Sequence, residues 1–250
     1  MSLTGTHAYI SILIKNKLSY GKWFFVSFLF GSIIPDIDYF FSKLHLLFNI
    51  PYFLSLLNKT FFHSIITVTL VYLILLILYE IKKNKEYLHM ANGILLGMSL
   101  HILLDIFLWY DKIDVFWPLP VENVHIWSSI TLSKNLSILI LSLEFLFFRI
   151  FAWHTITSIL NHPGENKHLI SPLTTWMKTQ LYIIIIFVIS SYFLSIYYIY
   201  IIFFIGYIPS LFMMIYIVYY TWDSLDYYEE KNTEATNEGY NERSDLININ

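Results

Sequence analysis

The chain has no cysteine, which excludes disulfides, thiolate zinc sites and iron–sulfur clusters. Charge is scarce as well. Asp, Glu, Lys and Arg make up 13% of its 250 residues, about half of the roughly 25% carried by soluble domains. So little polar surface cannot clothe a water-facing exterior, and bilayer lipid is the expected surrounding. Further absences narrow the chemistry. There is no glycine-rich phosphate loop, no Gly-x-Ser-x-Gly elbow, no His-Glu-x-x-His pair and no internal repeat. No basic-aromatic surface suited to nucleic acid is present, so no nucleic-acid partner is expected. Residues 1–22 lack a basic stretch ahead of an apolar core and a small-residue cleavage site, so no cleaved leader is expected.

What the chain does have is apolar length: 57% of it is hydrophobic and 19% aromatic. Ile65–Ile81 is apolar, with Glu80 near its end, and Leu88–Leu104 carries no acid or basic Lys or Arg. Each approaches the ~20 residues that a spanning helix needs. Leu136–Phe148 is apolar apart from Glu144, and Leu181–Trp222 has no charge. Gly206-Tyr207-Ile208-Pro209 interrupts that last run, which reads as two spans broken there. Trp23–Ile34 and His45–Leu57 are shorter and suit core or re-entrant helices. The expectation is an all-α, polytopic membrane bundle with about five to seven membrane helices.

The basic residues orient this bundle. With the Lys82-Lys83-Lys85 loop inside, Lys15, Lys17, Lys22, Arg149, Lys167 and Lys178 also fall on or near the inner face, and Lys43, Lys59, Lys112 and Lys134 fall outside. That bias predicts a multi-pass protein with the basic tips on the cytoplasmic side. It also predicts a cytoplasmic tail, residues 223–250, which holds eight acids and two bases and is expected to stay disordered.

Four polar motifs break the apolar N-terminal half: Thr6-His7, Pro35-Asp36-Ile37-Asp38, His63-Ser64 and His101-x3-Asp105. Burying imidazole or carboxylate in such surroundings costs several kcal/mol unless the groups find partners, so the four are expected to gather at one centre. Spacing supports this. From the basic tip near Lys83, about twenty residues back reaches His63 and about twenty forward reaches His101 and Asp105, so both arms end at one depth. His101 and Asp105, four apart, share a helix face. A second basic tip, Lys15–Lys22, folds His7 back toward Asp36 and Asp38. Pro35 suits a turn or a first helical position, from which both carboxylates can reach a cation. Imidazoles and carboxylates without thiolates make a site for one or two divalent ions of hard-to-borderline character. Each motif also has a plainer reading: polar surface for His7, a helix start for Pro-Asp-x-Asp, an interfacial cap for His63-Ser64, and a structural hydrogen-bonded pair for His101 and Asp105.

Other polar residues carry less. Glu144, five before Arg149, reads as an ion pair with it or as a snorkelled side chain. His45, His89, His125, His154, His162 and His168 fall mostly near expected loops, where solvated or interfacial histidine is the ordinary outcome. Glu122 and His125, three apart in the loop after Trp117-Pro118-Leu119-Pro120, read first as solvated loop residues, with reach to the mouth of the site as the lesser reading. Trp109, Tyr110, Trp117 and Trp222 read as an interfacial belt.

In order and context, Thr6-His7, Gly31-Ser-Ile-Ile-Pro-Asp-Ile-Asp38, Phe62-His63-Ser64 and Gly97-Met-Ser-Leu-His101-Ile-Leu-Leu-Asp105, followed by Trp117-Pro118, resemble the YdjM family. Its members are inner-membrane proteins described as metal-dependent hydrolases and related distantly to zinc-dependent phospholipase C and P1-type nucleases. The resemblance covers about residues 1–120, read as a metal-site helical domain ahead of additional membrane helices over 121–222. It implies the inner (plasma) membrane as location, and that His7, Asp36, Asp38, His63, His101 and Asp105 are metal ligands, with zinc the expected metal. Two departures stand out. The family's Arg-Gly-x-Thr-His-Ser is replaced by Asn58-Lys59-Thr60-Phe61-Phe62-His63-Ser64, so Lys59 stands where a bidentate arginine would hold phosphate, and Tyr39 follows Pro-Asp-x-Asp where a small or polar residue is common.

The implied activity is hydrolysis of a phosphoester in a lipid or lipid-linked compound by metal-activated water, with Asp38 or Asp105 doubling as general base. Two readings from other classes remain. One is a cation- or proton-coupled transporter using the intramembrane carboxylates. The other is a haem-binding electron-transfer subunit with His63 and His101 as axial ligands, against which the Pro-Asp-x-Asp motif argues.

Overall fold

A computed structural model of the chain describes residues 4–18, 22–37, 60–108, 112–121, 133–161, 165–222 and 225. Among them are seven α-helices and no β-strand: α1 (Thr4–Ile14), α2 (Phe24–Ile33), α3 (Ile65–Lys82), α4 (Lys85–Leu108), α5 (Lys134–Asn161), α6 (Ile170–Phe193) and α7 (Ile196–Tyr220). Five stretches are long and apolar enough to cross a membrane: Ile65–Lys82, Lys85–Leu108, Lys134–Asn161, Asn166–Phe193 and Tyr198–Tyr220. These are the five spans that the apolar runs predict. α1 and α2, at 11 and 10 residues, reach only about half the length a span requires. The His45–Leu57 expectation lies outside the described residues, as do Trp109, Tyr110 and the tail beyond residue 225.

The break between the last two spans is not where the sequence places it. Gly206-Tyr207-Ile208-Pro209 lies inside α7. Membrane helices accept an internal proline, and α7 continues through Pro209; one residue on, Ser210 Oγ donates to the Gly206 carbonyl at 2.7 Å. Gly206 serves close packing rather than a turn, since a Cβ there would sit 2.9 Å from Ile183 Cγ2 and 3.1 Å from the Phe145 ring. The chain instead turns at Leu194 and Ser195, both extended with ψ of 153° and 158°. α6 also starts at Ile170, so Lys178 belongs to the span, with the apolar run from Leu181 covering only its second half.

Local chemistry explains the tip between α3 and α4. Lys83 adopts the left-handed conformation (φ 52°) and its N–H closes α3 on the Tyr79 carbonyl at 2.7 Å, the usual geometry of a helix stop. Asn84 then caps α4, its Oδ1 accepting the Glu86 N–H at 2.9 Å. At the other end of α3, Ser64 Oγ accepts the Ile66 N–H at 3.1 Å and donates to the Trp117 carbonyl at 2.5 Å. That pair of bonds seats residues 112–121 beside His63.

α2 runs parallel to α4 and almost touches it. A Cβ on Gly97 would lie 2.1 Å from the Phe28 carbonyl oxygen, and one on Gly93 would lie 2.4 Å from that of Phe24. Gly93, Gly97, His101 and Asp105 form one ridge at four-residue spacing, so the glycines that let the backbones meet also aim the two polar side chains at α2. Parallel packing puts both basic tips at one end of the bundle and His7, Asp36, His63, His101 and Asp105 at the other. The end of α7 joins the tip side. Lys15 is buried and donates to the Leu225 carbonyl, Trp23 stacks on Trp222 with centroids 4.0 Å apart, and Lys22 lies over the Trp222 ring. One apolar core runs from Ala8 through Phe28, Phe145 and Tyr207 to Leu225. α3 lies outside it, presenting Leu70, Leu73, Ile74 and Ile77 to the surroundings.

Candidate metal centre

The two hairpins deliver five polar side chains to a single buried point. α1 contributes His7 and the turn after α2 contributes Asp36, where Pro35 opens a 3-10 turn over Ile34–Asp36 as its ring favours. His63 precedes the cap of α3, and α4 contributes His101 and Asp105. All five are at most 1% exposed. Asp38, the sixth expected ligand, lies outside the described residues, as do His45, Lys59, Glu122 and His125.

Asp105 sits at the middle. Its Oδ1 is 3.4 Å from His7 Nε2, and its Oδ2 is 3.2 Å from His63 Nε2 and 3.7 Å from His101 Nε2. His101 Nε2 is also 3.2 Å from His63 Nε2 and 3.7 Å from Asp36 Oδ1. The His7 and His101 rings stack, centroids 4.0 Å apart and 18° from parallel. Two overlapping triads result, His7/His101/Asp105 and Asp36/His63/His101, with the donor atoms of each within 4.8 Å of one another.

One protonation state follows from geometry. A carbonyl only accepts, so His101 Nδ1–H donates to the Ser32 carbonyl at 2.7 Å. A neutral His101 therefore points the Nε2 lone pair into the cluster. That contact depends on the glycine ridge, which brings Ser32 within reach of α4.

The spacings are compatible with a coordination shell. Charge-assisted hydrogen bonds run to about 2.7–2.9 Å, whereas these donors sit 3.2–3.7 Å apart. Four ligands around a zinc-like ion with bonds near 2.0–2.1 Å are separated by about 3.3 Å along each tetrahedral edge. The separations and the His/carboxylate donor set both fit a divalent cation. A haem does not fit: its planar macrocycle must pass between the axial imidazoles, and His63 and His101 are 3.2 Å apart with Asp105 against both.

The C-terminal helices also reach the site, which the sequence reading does not anticipate. Glu144 of α5 is completely buried and its Oε1 accepts the Gly5 N–H at 2.6 Å. Arg149 instead donates to the Met177 carbonyl at 2.8 Å, so the expected Glu144–Arg149 pair does not form. Helix periodicity gives the reason: residues five apart point about 140° away from each other. Glu144 is not snorkelled either, and the signal for it was the lone carboxylate in an apolar run. Gly5 makes the contact possible, because a Cβ there would lie 2.9 Å from the Glu144 carbonyl oxygen. Tyr207 of α7 reaches Thr4, which donates to Asp36. His89 and His154 lie within α4 and α5 rather than in loops, and His168 is exposed.

A family model described as YdjM inner membrane protein matches residues 2–223. The chain belongs to the YdjM family. The match extends well past the motif-bearing residues 1–120 and takes in every YdjM helix described above, ending where the acidic tail begins. It therefore includes Glu144 and Tyr207. No curated protein and no solved structure matches the chain.

Proposed function

We propose that the chain is a membrane-embedded, metal-dependent hydrolase acting on a phosphoester of a lipid or lipid-linked compound. Donor spacing carries this reading: three imidazole nitrogens and two carboxylates converge at 3.2–3.7 Å, the separation of ligands around one ion. His7, His63, His101, Asp36 and Asp105 would hold one or two divalent ions, with zinc best suited to the donor set, and Asp38 belongs to the same motif as Asp36. A divalent ion bound there supplies Lewis acidity toward a phosphoryl oxygen and brings the pKa of water to about 7.

The protein's own residues do the rest. Ser32 holds the His101 tautomer, and Asp105 faces His7 with one oxygen and His63 with the other, so the three could share a cation. Asp105 or Asp38 accepts the proton released by the attacking water. Burial of the five side chains themselves keeps bulk water away, which strengthens every charge interaction within. His101 stands 16 residues beyond the first residue of α4, roughly 24 Å along the helix from the basic tip, a depth close to the opposite surface of a ~30 Å hydrocarbon core. Charge bias assigns the tips to the cytoplasm, which places the centre toward the outer leaflet and favours a lipid phosphoester as substrate.

One observation favours a second reading. Burial of all five ligands also suits an occluded cation site in a transporter. Metal analysis of full-length, detergent-purified protein beside His101→Ala, with hydrolysis of a generic phosphodiester and of phospholipid vesicles, separates these. Zinc retained by the wild type and lost in the variant, with metal-dependent turnover, is the expected result. Wild-type protein that takes up no metal overturns the centre, and bound metal without turnover moves the reading to transport.

A further inference from the structure

Thr4, Asp36 and Tyr207 form a hydrogen-bonded line from the candidate centre into the C-terminal half. All three are fully buried, and they come from α1, the turn after α2, and α7. Thr4 Oγ1 donates to Asp36 Oδ2, and Thr4 Oγ1 and the Tyr207 hydroxyl are 2.5 Å apart. A threonine hydroxyl has one proton and an ionised carboxylate has none. With the Thr4 proton committed to Asp36, Tyr207 must be the donor to Thr4. The direction is fixed: Tyr207 to Thr4 to Asp36. One carboxylate oxygen, Oδ2, is thereby occupied, and the other, Oδ1, is the one facing His101 Nε2 at 3.7 Å. Aromatic packing keeps the tyrosine in place, its ring stacking on Phe203 with centroids 5.3 Å apart and lying 6.0 Å from Phe148.

We propose that Tyr207 is a positioning residue of the metal centre, orienting the Asp36 carboxylate through Thr4 so that Oδ1 alone is presented to a cation. This rests on reading the cluster as a metal centre. It makes α7 part of the site rather than an added membrane anchor. Hydrogen-bond partners of metal-ligating side chains set ligand orientation and basicity, and their loss typically costs 10–100-fold in affinity.

The test uses the full chain in detergent, with Co2+ as the probe, followed by its visible absorption and by competition with a chelator. Tyr207→Phe and Thr4→Val should each weaken Co2+ binding about tenfold and shift the absorption band. Thr4→Ser, which keeps the hydroxyl, should return both to wild-type values. Because Tyr207 acts through Thr4, the double variant Thr4→Val/Tyr207→Phe should bind no more weakly than Thr4→Val alone. Tyr216→Phe, on an exposed face of α7, should change nothing. A wild-type band and affinity in Tyr207→Phe overturns the assignment while leaving the centre intact, as does full additivity in the double variant. Wild-type protein that takes up no Co2+ overturns the centre and this assignment with it. Should Tyr207→Phe fail to fold, Thr4→Val against Thr4→Ser decides the matter: equal affinities overturn it.

Discussion

At the scale of single residues, Asp105 bears the heaviest duty, because its two oxygens serve three imidazoles. Asp105→Asn removes the charge while nearly keeping the shape. On the coordination reading, metal affinity should fall at least tenfold, about 1.4 kcal/mol or more, with the helices still formed. Metal stoichiometry by mass spectrometry checks this, and unchanged binding would mark Asp105 as a structural partner of His101. Glu144 permits a different experiment. Glutamine keeps an oxygen for the Gly5 N–H and leucine does not, so Glu144→Leu should lower stability by about 1–3 kcal/mol and Glu144→Gln by clearly less, as read from thermal unfolding in detergent. Residue-scale legibility was uneven. That His101, Asp105 and Asp36 come together could be read because four-residue spacing sets a pair on one helix face and Pro35 suits a turn; Asp38 lies outside the described residues. Tyr207 could not be read so, since nothing within twenty residues of it is polar in a way that separates it from the other aromatic residues of α7.

At the scale of elements, the glycine ridge of α4 links packing to chemistry. Gly97→Ala would put a methyl group 2.1 Å from the Phe28 carbonyl oxygen, and the resulting separation of α2 and α4 should cost about 1–3 kcal/mol. The same shift would move Ser32 away from His101 Nδ1, so metal binding should weaken along with the melting temperature. Leu96→Ala, at a largely exposed neighbouring position, should do neither. Both hairpins were legible from their basic tips and matched arm lengths. The break between α6 and α7 was not, because Gly-x-x-Pro carries its soluble-protein meaning only where water can satisfy the interrupted backbone. Inside a bundle the helix runs on through Pro209, and an unremarkable Leu194-Ser195 step makes the turn instead.

At the scale of the whole molecule, metal and topology are both testable. If the cluster holds an ion, chelation should lower the melting temperature, since ligand present at 1,000 times Kd stabilises by about 4 kcal/mol. His101→Ala should lose that response. The absence of cysteine makes topology simple to probe: with Asn84→Cys and Asn237→Cys, an impermeant thiol reagent should label neither in intact cells and both after permeabilisation. Labelling of either without permeabilisation contradicts cytoplasmic tips and tail.

The stunted first hairpin has a consequence for how the protein is made. α1 and α2, of 11 and 10 residues, are too short to be inserted as independent spans. Their seats are supplied by the glycine ridge of α4, by α5 at Gly5, and by Trp222 and Leu225 after α7. His7 and Asp36 thus precede in the chain the helices that hold them, and their places depend in part on contacts after α7. A chain truncated before α7 would carry these residues without the contacts at Trp222 and Leu225 that help to seat the first hairpin, so the proposed centre should form only after α7 has been delivered.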